Sequence, residues 1–185
     1  MKISEYFKRL YEILNGPKKA IEKYKDDNKI SDPFFFLLFT IILFELFNIL
    51  ISVIIKTDLK IIIFNFLLSF IYEFIGLIFS SALIHLIFNL LGCKKGFIQT
   101  FKVYSYLSSF LLLNFIISFG SKFFPFIIFG NIILGVWIFS LSINLLSKFN
   151  EISSKKVFGA YWIIMFIFII ISIILGINLI NMILN

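Results

Sequence analysis

The chain has 185 residues, 61% of them hydrophobic and 15% charged, with a formal net charge of +7 and a mean hydropathy of +1.05. An ordinary soluble domain is about 45–50% apolar and about 25% charged, so a water-soluble fold of this composition would expose one continuous apolar patch. A soluble globular domain is excluded. The predicted fold is all-α, an integral membrane bundle of five transmembrane helices with a short amphipathic N-terminal arm.

Residues 1–32 form the arm, which holds 14 of the 27 Asp, Glu, Lys and Arg residues, eight basic and six acidic. Ile3, Tyr6 and Phe7, Leu10, Ile13 and Leu14 recur at helical spacing, with Lys2, Glu5, Lys8, Arg9 and Glu12 around the rest of the wheel. Asn15-Gly16 breaks this helix, and Pro17 opens a second short one carrying Ala20, Ile21 and Tyr24. Two placements are open. The arm lies flat among headgroups with its basic residues towards anionic lipid, or it docks against the cytoplasmic ends of the spans.

Residues 33–185 form the transmembrane domain. A span needs about 20 mostly apolar residues to cross roughly 30 Å of hydrocarbon. Five segments qualify, at about 34–55, 61–91, 103–119, 126–146 and 157–183. Several begin with helix-entry chemistry: Asp32 before Pro33, Asp58, Pro125, and Ser153 or Ser154. The uninterrupted apolar runs lack the polar/apolar alternation of a β-barrel. No secretory signal peptide is expected, because the first apolar run is too long for one.

Lysine and arginine set the orientation. With the N-terminus cytoplasmic, 14 basic residues lie inside and only Lys56, Lys60 and Lys122 outside. That asymmetry predicts a multi-pass protein of the cell membrane with its N-terminus in the cytoplasm and its C-terminus outside. The positive charge is read as lysines near anionic headgroups, with no nucleic-acid partner. The single cysteine, Cys93, has no Cys/His cluster around it, so neither a metal nor another cofactor is expected.

Ionisable groups at membrane depth each need a reason. Glu45, Asn48 and Ser52 share one face of the first span, and Asn65, Ser69 and Glu73 share one face of the second. The short 56–60 connection makes these spans a hairpin, in which Ser52 is level with Asn65, Asn48 with Ser69, and Glu45 with Glu73. A polar seam follows, with two carboxyls at nearly equal depth. Two such carboxyls in low dielectric cannot both ionise, which suits a proton or cation site. The plainer alternative is a neutral hydrogen-bonded pair that locks helix packing.

His85 lies about 18 Å further along the second span and about 120° around it, so it does not join the seam. His85-x-x-x-Asn89 is superficially similar to an intramembrane CAAX-protease motif, but one His and no Glu-Glu-x-x-x-Arg helix exclude that chemistry. No rhomboid-like Gly-x-Ser-Gly context is present either, and no enzyme is expected. His85 reads as a packed, hydrogen-bonded residue near Lys94 and Lys95. Ser105 and Ser109, and Asn131 and Gly135, read as helix-packing surfaces.

Asn15-Gly16-Pro17-Lys18-Lys19-Ala20-Ile21 resembles the Pro-x-x-Ala-(Phe/Ile) entry of the Yip family, the Ypt/Rab-interacting membrane proteins. The run Ser81 to Gly92, which carries His85 and Asn89, is similar to that family's second span. Gly96-Phe97-Ile98-Gln99-Thr100-Phe101-Lys102-Val103-Tyr104 looks like the Phe-x-Gln-Thr start of its third. The resemblance covers nearly the whole chain and marks Pro17, Ala20, His85, Asn89, Gly92, Gln99, Thr100 and Tyr104 as family positions. It implies five spans, a cytoplasmic N-terminus and a compact prokaryotic-type member. The implied role is a non-enzymatic scaffold in membrane organisation or trafficking, acting through membrane lipids and a membrane or cytoplasmic protein partner. The arm is much shorter than in eukaryotic members, which speaks against a small GTPase. With Phe97, Phe101, Gln99 and Lys102, the start of the third span is expected on the cytoplasmic surface, forming a basic platform with the arm. The alternative role is a small proton- or cation-coupled transporter using Glu45 and Glu73, although five spans do not divide into two equal inverted halves.

Overall fold

A computed structural model describes residues 1–25, 30–121 and 123–184, with side chains as far as Ile173. Asp26, Asp27, Lys29 and Lys122, which enter the charge count above, lie outside the described residues, as does Asn185. In chain order the helices are α1 (Ile3–Asn15), α2 (Pro17–Lys23), α3 (Ser31–Ile54), α4 (Leu59–Leu90), α5 (Phe97–Leu107), α6 (Phe110–Gly120), α7 (Ile128–Asn150) and α8 (Ser154–Leu184). A short 3₁₀ turn, Pro125–Ile127, leads into α7. Among the described residues, five helical segments are long and apolar enough to cross a membrane: α3, α4, α5 with α6, α7 with its 3₁₀ turn, and α8. The chain is a multi-pass membrane protein.

Local chemistry explains most boundaries. The Asp58 carboxylate accepts the Lys60 amide at 2.7 Å and caps α4. At the other end of α4, Cys93 N–H bonds the Phe88 carbonyl at 2.9 Å and Gly92 N–H bonds that of Asn89 at 3.1 Å. This double closure needs a left-handed residue, and Gly92 supplies it at φ +86°. Asp32 departs from expectation. It caps no helix; its carboxylate points back at the arm.

The third membrane segment is the centre of the bundle. It is the most buried of the five, and α5 packs against α3, α4 and α7 together. Its lower apolarity follows: a helix enclosed by protein need not satisfy lipid on every side. The segment also begins earlier than residue 103 and is interrupted at Ser108–Ser109, between α5 and α6. Both hydroxyls donate to backbone carbonyls three residues back, Ser108 to Ser105 at 2.6 Å and Ser109 to Tyr106 at 2.7 Å. Such back-bonding competes with the helix ladder. Ser105 and Ser109 are both fully buried, and the Ser105 hydroxyl has no hydrogen-bond partner among the described residues.

The expected surface position of the third segment's start is corrected. Phe101 is 3% exposed and Lys102 is fully buried, with Nζ donating to the Lys25 carbonyl at 2.7 Å. The arm covers this segment, so α5 holds the platform up from below instead of forming its surface.

Candidate functional site

The arm docks on one end of the bundle. Tyr6, Leu10 and Ile13 of α1 and Ala20 and Ile21 of α2 are buried, so the apolar stripe faces protein. Tyr6 stacks near Phe36 and hydrogen-bonds Thr40 at 3.2 Å. Of the two placements left open by the sequence, this is the docked one. Exposed Ile3, Phe7 and Tyr11 remain on the outer side of α1.

Arg9 is the node of the arm. Its Nη2 donates to Glu5 at 2.6 Å and to Asp32 at 2.9 Å, its Nη1 donates to Tyr106 at 3.1 Å, and its guanidinium lies 4.5 Å from the Tyr24 ring centre. One planar fork thereby joins α1, α3, α5 and the residue that ends α2. Burial works against its charge, but the Tyr106, Glu5 and Asp32 oxygens outweigh that and hold it above its usual range. Sequence reasoning placed Arg9 on a polar face and missed this role. The available signal was that Arg9 is the sole arginine among 17 basic residues.

Further ties hold the arm and loops. Glu12 accepts from the Tyr24 hydroxyl at 2.7 Å and from Lys23 at 3.1 Å, clamping α1 to α2. These bonds hold the Glu12 carboxyl below its ordinary value, while burial and then the Glu12 bond push Tyr24 up. Lys148 of α7 pairs with Glu22 at 2.7 Å. Glu151 sits at φ +53° with its carboxylate 2.9 Å from Lys95 and 3.8 Å from Lys25. The Lys95 bond and the paired charges lower the Glu151 carboxyl. Lys2, Lys8, Lys18, Lys19, Lys94 and Lys155 are exposed at this same end and form no salt bridge among the described residues.

A second cluster lies beneath. His85 Nδ1 is 3.1 Å from the Thr100 hydroxyl, which in turn donates to Asn150 Oδ1 at 2.9 Å. Thr100 has one proton and gives it to Asn150, so His85 must donate from Nδ1. Asn150 Nδ2 caps the Leu146 carbonyl at 3.1 Å, and the Cys93 thiol leans on the Asn150 carbonyl at 3.4 Å. Sequence reasoning anticipated a hydrogen-bonded His85 but not Asn150, which sits 50 residues from Thr100 and was hidden in a loop-like stretch.

Between α3 and α4 the described hydrogen bond joins Ser69 to Glu45, rather than Ser69 to Asn48. Glu45 is 1% exposed. The pairing is offset by about one helical turn from equal depth, because helix rotation as well as height decides which side chains meet. Glu73, Asn48 and Ser52 are half-buried, and Asn65 is exposed. Among the described residues no group of three His, Cys, Asp or Glu side chains gathers as a metal site.

The Yip1 domain family matches residues 11–176. The chain belongs to the Yip1 domain family. No curated protein and no solved structure matches it. In this Yip1 domain the marked positions have separable structural tasks. Pro17 opens α2, and Ala20 lies on the buried face of α2. Gly92 closes α4, His85 and Thr100 bond each other, and Tyr104 bonds Tyr161 at 3.3 Å. Asn89 is exposed, and Gln99 Oε1 is buried without a hydrogen-bond partner among the described residues.

Proposed function

We propose that this Yip1-domain protein is a non-enzymatic membrane scaffold that presents its arm end to the cytoplasm as a rigid, basic contact surface. The single observation behind this reading is the Arg9 node, which ties α1 to the arm's own Tyr24 and fixes the arm to α3 and α5. A surface held this way loses little conformational entropy when it binds, so contacts made there are stronger for the same area. Its exposed lysines, Lys2, Lys8, Lys18 and Lys19 among them, favour anionic headgroups in the adjoining leaflet, each by about 1 kcal/mol near the surface. Between them, the buried positions of α1 and α2 are occupied, which leaves the exposed α1 face and the loops for a protein partner.

The test uses the full chain in nanodiscs of mixed phosphatidylglycerol and phosphatidylcholine. Lipid retained after gentle extraction is expected to be enriched in phosphatidylglycerol, and replacing Lys2, Lys8, Lys18 and Lys19 with Gln is expected to abolish the enrichment. Bulk composition around the unaltered protein would sink the lipid part of the proposal. Accessibility labelling of a cysteine placed at position 18 in sealed cells checks the orientation, with protection expected.

A second reading rests on Glu45, a buried carboxyl inside a span with a hydroxyl partner. It makes the protein a proton- or cation-coupled transporter. Proteoliposomes with a trapped pH dye decide it: flux lost in Glu45→Gln and Glu73→Gln supports transport, and no flux in the unaltered protein rejects it.

A further inference from the structure

A groove of about 460 Å³ runs within the membrane-spanning region, between the third segment and α7, with Tyr161 of α8 at one end. That volume is within the range of small-ligand sites. One wall is Leu107, Ser108 and Leu111, at the break between α5 and α6; the other is Leu134, Gly135 and Ile138. The expectation that Asn131 and Gly135 form a helix-packing surface fails at Gly135, where an added Cβ would meet nothing within 4 Å. Closer to the start of α7, Gly130 approaches Ile117, and an added Cβ would lie 3.2 Å from it. The helices touch there and part at Gly135, which opens the groove.

Exposed Asn114 also lines the groove, and the polar atoms at its two ends define the occupant. At one end Tyr161 donates to Ser142 at 3.0 Å, and Ser142 donates to the Phe139 carbonyl at 2.8 Å. Tyr161 has used its proton, so Tyr104, 3.3 Å away, must donate to it. All three hydroxyl protons are engaged, and this end offers no donor to an anionic group. At the other end Asn131 Nδ2 bonds Ser118 at 3.1 Å, but Asn131 Oδ1 is shielded and has no partner among the described residues. A shielded acceptor is costly until a donor reaches it. No Asp, Glu, Lys, Arg or His lines the groove.

We infer that the groove binds one tail of an uncharged lipid bearing a free hydroxyl, of the diacylglycerol class, with that hydroxyl donating to Asn131 Oδ1. From Asn131 to Ser142 the groove follows α7 for about 16 Å, half of the roughly 30 Å hydrocarbon thickness, which is the reach of one lipid tail. Asn131 lies about one turn inside the start of α7, the depth at which a glycerol hydroxyl sits below the headgroups. A charged headgroup would be buried there without a counter-charge, so phosphatidic acid is disfavoured. This inference is independent of the scaffold and transport readings, since neither uses the groove.

The experiment uses the full-length protein in nanodiscs and diazirine-tailed probes that differ only in headgroup: diacylglycerol, phosphatidylcholine and phosphatidic acid. Diacylglycerol is expected to label residues of the groove several-fold more than the other two, as one added hydrogen bond allows. Gly135→Phe, which fills the groove from its open side, is expected to remove that labelling. Asn131→Leu is expected to retain labelling but equalise the three headgroups. Thermal melting confirms that each variant is folded, and Gly135→Leu replaces Gly135→Phe if the larger side chain prevents folding. Equal labelling by all three probes in the unaltered protein, or labelling unchanged when Gly135 is enlarged, would overturn the inference and leave ordinary annular lipid.

Discussion

Arg9 and Asp32 meet at 2.9 Å across 23 residues, with their side chains 8% and 16% exposed. Asp32 stands where a helix cap is expected, and Arg9 on what reads as a polar helix face. Their pairing turns both into fasteners. Removing one partner of such a pair leaves the other charge poorly compensated, which is worse than replacing both.

Arg9→Ala is therefore expected to release the arm at a cost of about 2–4 kcal/mol. Arg9→Lys should recover only part of this, because an ammonium lacks the planar fork that reaches Asp32 and Tyr106 together. Hydrogen exchange over residues 3–23 reads the outcome. Unchanged protection in Arg9→Ala would mean that apolar docking alone holds the arm.

The Glu12 clamp carries a pH dependence of known sign. Its carboxyl is held below the ordinary 4.5 by Tyr24 and Lys23, so its contribution is present above that value and lost as the pH falls through the lowered one. Exchange at the α1–α2 junction is expected to rise below about pH 4.5 and to lose this dependence in Glu12→Gln. A pH-dependent rise of the same size in Glu12→Gln would assign the effect elsewhere, for instance to Glu151, which shifts in the same direction.

Two left-handed helix ends should respond with opposite signs. Gly92→Ala places a Cβ at φ +86° and is expected to cost about 1–2 kcal/mol. Lys56→Gly relieves a side chain held at φ +58° and should raise the melting temperature. Equal melting temperatures for Gly92→Ala and the unaltered protein would show that the α4 end is not held in this geometry.

Thr100 joins His85 to Asn150, so Thr100→Val leaves two buried groups without partners. The expected loss is about 1–3 kcal/mol, and Thr100→Ser should restore most of it. A double-mutant cycle of Thr100→Val with Asn150→Leu is expected to show coupling; strict additivity would deny that the hydrogen bond contributes.

The apolar runs, their lengths and the Asp58 cap determined the five membrane-spanning helices, because hydrophobic length and local capping are properties of contiguous sequence. Gly92 was legible as a glycine-bounded helix end for the same reason. The apolar stripe of Tyr6, Leu10 and Ile13 showed that α1 would bury a face, but not which surface it would meet. Only the tertiary structure decided that, since lipid and the bundle's own aromatic end both accept an apolar helix face. It was likewise the structure that chose Arg9 among the basic residues, brought Asn150 to Thr100 and set Glu45 against Ser69. Those contacts depend on helix rotation and on packing between distant segments, neither of which is encoded in the spacing of one segment alone. The groove beside Gly135 has the same origin: small residues permit two helices either to touch, as at Gly130, or to part, as at Gly135.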